Sequence, residues 1–191
     1  MALTEVEFEL PAGQFELMGY PHLRQGQSLV LQLETGVLLP DPAAETWYAV
    51  ATEPMPERFV RVGRAQYAFA GQIEETEIIQ HDGAETATLI VRCGEMPLRV
   101  FCAPQEDGRL PYGTWETRYL AGYGRVYGMV EEDLSTGPGR QIGATIWSFR
   151  RLVLSPGDPL FGEWHESAEL LPVPYTHDRI CVAARVHRQA I

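Results

Sequence analysis

Apolar and polar residues alternate one for one along several short stretches of this chain. Val6, Phe8 and Leu10 interleave with Glu5, Glu7 and Glu9; Leu29, Leu31 and Leu33 flank Gln32 and Glu34; Ile180, Val182, Ala184 and Val186 interleave with Cys181, Arg185 and His187. Successive side chains of a strand point to opposite faces, so this period predicts half-buried strands with one dry and one wet face. Turn signals separate them: "PAG" at 11–13, "ETG" at 34–36, "PDP" at 40–42, "HDG" at 81–83, "EDG" at 106–108, "TGPG" at 136–139 and "SPGDP" at 155–159. No stretch of ten or more residues free of glycine and proline carries an i, i+3, i+4, i+7 apolar stripe. The best helical candidate, "GEWHESAELL" at 162–171, fits a strand almost as well. The expected class is all-β, an antiparallel barrel or a sandwich.

From about residue 67 the strands follow a definite order. A long "YAFAGQIEETEIIQ" turns at "HDG" into "TATLIVRC", which turns at "GEMP" into "LRVFCA"; then come "YLAGYGRVYGMVEED" and "IGATIWSFRRLVL". Five strands in that order, the first long and able to bend at Gly71, resemble a Greek-key barrel of the OB type over about 67–154. The likeness is architectural and carries no diagnostic motif. It departs from that type where a helix would join strands three and four, because "PQEDGRLPYG" is too short and too broken to form one. Residues 1–56 then read as an acidic β-rich N-terminal segment. Residues 57–191 read as the barrel with its returning C-terminal strands, the prolines at 54 and 56 marking the boundary, unless the two fuse. No repeat of 20–50 residues is visible.

Composition narrows the chemistry. At 191 residues and 45% hydrophobic, the chain can bury a real core. All 15 basic residues are arginine, and the chain has neither lysine nor asparagine. That excludes lysine Schiff-base and pyridoxal-phosphate chemistry, a P-loop lysine and N-glycosylation. The net charge of −11 is uneven: residues 1–57 hold nine acidic side chains against Arg24 alone, residues 58–149 twelve against nine arginines, and residues 150–191 five of each. An acidic chain repels phosphate backbones, which disfavours nonspecific nucleic-acid binding. The first residues lack the pattern of a signal peptide and no apolar run approaches the roughly 20 residues that span a bilayer, so a cytoplasmic location without membrane association is expected. Three cysteines imply no disulfide framework; a hairpin pairing Cys93 with Leu98 would put Cys102 near Leu89 instead.

One stretch is chemically distinctive. "TWETRYLAGYGRVYGMV", 114–130, spaces Trp115, Tyr119, Tyr123 and Tyr127 four apart, with glycines at 122, 124 and 128 between them. On a strand all four rings and Arg125 share one face. A helix would carry three interior glycines at about 1 kcal/mol each. Exposed, these five residues are a candidate ligand-binding platform; turned inward, the rings would fill a core. His165, His177 and Glu163 or Glu166 are conceivable metal ligands, but the spacing matches no known pattern, and local hydrogen bonding is the expected role. Glu131, Glu132 and Asp133 lack the oxygen spacing of a calcium loop. No G-x-S-x-G elbow is present, and "GYGRVYG" opens no helix, so it is not a dinucleotide fingerprint. No catalytic residue, metal or cofactor is therefore assigned. The expected function is a non-catalytic binding or assembly module, a homo-oligomer or one with a protein partner, acting through the aromatic strand face. The alternatives are an OB-like binder of single-stranded nucleic acid or a small ligand, and a small β-barrel enzyme with a His/carboxylate site.

Overall fold

The structure, a computed structural model, describes residues 4–10, 22–37, 47–104, 107–110, 118–130, 140–171 and 177–187. Among them there is no helix. The strands are β1 (Thr4–Leu10), β2 (Leu23–Arg24), β3 (Ser28–Val37), β4 (Trp47–Ala51), β5 (Arg58–Gly63), β6 (Gln66–His81), β7 (Ala84–Cys93), β8 (Met96–Cys102), β9 (Tyr119–Arg125), β10 (Tyr127–Val130), β11 (Ile142–Leu152), β12 (Trp164–Ser167), β13 (Glu169–Leu170) and β14 (Arg179–Val186).

Five of them close into a barrel. β1 pairs antiparallel with β14, β14 with β11, β11 with β3 and β3 with β10, and β10 returns beside β1 in parallel. The alternating apolar residues of β1, β3 and β14 point inward: Val6, Phe8, Leu10, Leu31, Leu33, Val182 and Ala184 are all buried. A Cβ on Gly128 would lie 2.2 Å from the Phe8 ring, so this position of β10 is glycine because Phe8 occupies its side of the barrel.

The remaining strands extend from β3. Its first half faces β11 and β10; from Glu34 onward it pairs in parallel with β8. The sheet continues β8–β7–β6–β9–β4, with β5 on β6. In order β9–β6–β7–β8 this is a Greek key, three hairpin-linked strands and a fourth lying beside the first. The sheet coils back on itself, since β9 runs on into β10 and the Thr35 hydroxyl donates to the Arg125 carbonyl at 2.7 Å. Tyr67, Phe69, Leu89, Val91, Leu98, Val100 and Leu120 fill its interior. Gly71 permits the coiling: a Cβ there would sit 2.0 Å from the Arg92 carbonyl oxygen, and the β6–β7 register shifts just beyond, between Ile73 and Glu75.

The all-β expectation is met, and the barrel has a different membership from the one expected over 67–154. Four of those strands make the Greek key, but the strand parallel to β8 is β3, from the N-terminal segment, whereas β11 enters the barrel. Period-two patterning shows which face of a strand is dry and not which strand lies beside it. The stretch 162–171, open between helix and strand from its pattern, carries β12 and β13. Two further readings change. The β7–β8 turn is two residues, Gly94 and Glu95, so Cys93 pairs with Met96 rather than Leu98, and Cys102 with Ala87. Finally, the expected wet face of β1 is covered: Glu7 is 2% exposed and Glu9 8%.

Candidate functional site

Tyr119, Tyr123, Arg125 and Tyr127 share one parity of β9 and β10 and are half-buried, while Leu120, Gly122, Gly124, Val126 and Gly128 alternate with them and are buried. The rings therefore face outward from the core; Trp115 lies outside the described residues. Residues four apart on a strand are about 13 Å apart, so the tyrosines do not stack on one another. Nor do they share one sheet neighbourhood. Tyr119 and Tyr123 lie between β6 and β4, whereas Tyr127, beyond the break at Val126, lies between β1 and β3.

The cross-strand register shows what surrounds Tyr123. Ala68 of β6 stands beside it, and Val60 of β5 beside Ala68. Val60 is 53% exposed and Val62 52%. One step along, Ala70, Ala121 and Ala49 form a row of small side chains across β6, β9 and β4. Of this row Ala49 and Ala121 reach the surface between Tyr119 and Tyr123, whereas Ala70 is 3% exposed. The Tyr123 hydroxyl donates to Gln66 Oε1 at 3.3 Å.

Arg125 plays a different part from the one expected of it. Its Nη1 donates to Glu9 Oε2 at 2.7 Å, and Arg179 grips the same carboxylate through Nε at 3.2 Å and Nη2 at 2.9 Å. Burial pushes the Glu9 carboxyl above its ordinary pKa, against the opposing charge and hydrogen bond of Arg125. This guanidinium ties the end of β9 to β1.

A second charged cluster was not singled out from the sequence. Glu7 Oε2 accepts from Arg150 Nη1 at 3.2 Å and lies 3.4 Å from Arg61 Nη1, while Glu7 Oε1 accepts the Ala65 N–H at 3.0 Å. The Glu7 N–H donates to Tyr67 Oη at 2.8 Å. Arg64, next in the β5–β6 turn, lays its guanidinium over the Trp164 ring at 4.3 Å. These side chains line a cleft of about 440 Å³. The available signals were "RFVRVGR" at 58–64, without an acidic residue, and the glutamates alternating through β1. Neither locates the other, because about fifty residues of chain lie between them.

Among the described residues no group of three histidine, cysteine or acidic side chains could hold a metal ion; His165 and His177 are exposed, and Glu131, Glu132 and Asp133 lie outside the described residues. Cys93, Cys102 and Cys181 are free and buried, and burial pushes each thiol up to about 12. Such thiols are almost wholly protonated at neutral pH and are poor nucleophiles. No described helix is long and apolar enough to cross a membrane. No family profile, no curated protein and no solved structure matches this chain.

Proposed function

We propose that the protein is a non-catalytic assembly module that docks a second copy of itself through the outward face of β5, β6 and β9. The observation that carries this reading is the contiguous line Val60–Ala68–Tyr123, apolar and solvent-facing on three neighbouring strands. Exposed apolar patches of this kind cost solubility and mark contact surfaces. The small side chains Ala49 and Ala121 beside it offer little steric hindrance to a docking surface, and tyrosine combines a large apolar ring with a hydroxyl that tolerates a wet rim. Free, buried thiols fit a reducing, cytoplasmic setting.

Size exclusion with light scattering tests the reading. The wild type is expected as a defined oligomer, and Val60→Asp or Tyr123→Asp as a folded monomer, because a carboxylate would be desolvated at the contact. A wild type that stays monomeric at all concentrations removes the proposal.

The second reading, an OB-like single-strand or small-ligand binder, draws on the Greek-key order β9–β6–β7–β8 with tyrosines outside β9. Against it stand the net charge of −11 and the engagement of Arg125 by Glu9. Oligonucleotide anisotropy at low salt decides, since the electrostatic part of binding is largest there.

A further inference from the structure

We infer that the cleft bounded by Arg61, Arg64 and Arg150 binds a phosphate group, either free phosphate or a phosphate monoester. The inference does not rest on the assembly reading: the charged lining of the cleft, Glu7, Arg61, Arg64 and Arg150, takes no part in the Val60–Ala68–Tyr123 line, and Val62 is the one apolar side chain at its wall.

The cleft carries an excess of positive charge. Three guanidiniums line the cleft against one carboxylate, Glu7, which leaves an excess of two positive charges. Glu166 reaches the edge of the group at 3.9 Å from Arg150 Nε, but it is largely exposed and screened by solvent. Among the described residues Arg64 has no ion pair at all. In a chain of net charge −11, two uncompensated cations beside a fully buried carboxylate are not explained by stability alone. A phosphate monoester carries about −1.5 to −2 at pH 7, which matches the excess.

The cleft is partly preorganised. Glu7, 2% exposed, accepts a hydrogen bond from Arg150 Nη1 and draws Arg61 Nη1 to 3.4 Å, so both guanidiniums are oriented by one buried carboxylate while their other N–H groups remain for a ligand. Arg64 holds its guanidinium carbon 4.3 Å from the centre of the Trp164 ring, a cation–π contact that uses none of its N–H donors in an ion pair. The turn that carries it is held in an unusual shape. Ala65 has φ +50°, a left-handed conformation that is costly for an alanine. Its N–H donates to Glu7, and its carbonyl accepts the Val126 N–H at 2.7 Å. The same carboxylate therefore fixes the turn and two of the three arginines. The cleft is several times larger than one phosphate ion and open on one side, which leaves room for the organic part of an ester.

The test is calorimetric titration of the full chain with inorganic phosphate and, separately, with glucose 6-phosphate, at constant ionic strength against sodium chloride. Saturable binding of either phosphate species is expected, with no response to chloride. If the ester binds and inorganic phosphate does not, the site takes esters; if both bind equally, it takes the bare group. Arg64→Ala, at an exposed turn position, should weaken binding at least tenfold, and Arg61→Ala likewise, while Arg109→Ala, an exposed arginine elsewhere, should leave it unchanged. Folding of each variant is checked by near-ultraviolet circular dichroism, and Arg64→Gln replaces any variant that fails. Absence of saturable binding for both phosphate species, or unchanged affinity in folded Arg64→Ala or Arg64→Gln, overturns the inference.

Discussion

Glycine 128 and phenylalanine 8 fill one space between them. The ring lies where a Cβ would be, and Gly122 stands in the same relation to Phe69, its absent Cβ 2.4 Å from that ring. Gly122 and Gly128 are thus the imprint of two phenylalanines inside the two cylinders. At these two positions the inward side is bare because its space is already occupied, while Leu120 and Val126 fill the same face elsewhere. Gly128→Ala should overpack the barrel and cost about 1–3 kcal/mol of stability, read as a lower urea midpoint with an unchanged slope. Strand geometry made the common face of Tyr119, Tyr123 and Tyr127 legible in advance. The partners that fill the other side come from Phe8 and Phe69, over fifty residues away, and no local pattern could name them.

At the scale of strands, β1 shows what alternation conveys and what it leaves out. The period placed Glu5, Glu7 and Glu9 on one face correctly. It then implied that this face is wet, and only Glu5 is exposed, because arginines from β5, β9, β11 and β14 close over the other two. A carboxylate so covered keeps its charge only through those contacts. Glu7→Ala would leave the Ala65 N–H unsatisfied and release the β5–β6 turn. Because Arg61 and Arg150 are themselves accessible to solvent, the loss should stay near the cost of one orphaned buried donor, about 1–3 kcal/mol, measured by chemical denaturation. The β7–β8 hairpin carries the same lesson at a turn. "GEMP" signals a reversal, but whether two or four residues make it depends on Gly94 taking φ +71°, and that choice shifts every pair down the ladder. The basic and acidic halves of the cleft were each visible as short runs; their meeting is a property of the barrel and had no local sign.

Across the whole molecule, the closed barrel draws strands from both ends of the chain. β14 pairs on one side with β1 and on the other with β11, so it completes the circuit. Deleting residues 179–191 should therefore abolish cooperative unfolding and near-ultraviolet dichroism rather than trim stability, since two strand edges and the apolar interior would open together. The long strand β3 has a subtler effect. Leu31 and Leu33 serve the barrel, Thr35 serves the coiled sheet, and Glu34 is the point where its neighbours change. Losing a single residue there would force one half or the other to present its back to its own interior. The two cylinders are consequently kept in phase like gears on a common shaft, and neither can slip without stripping the other.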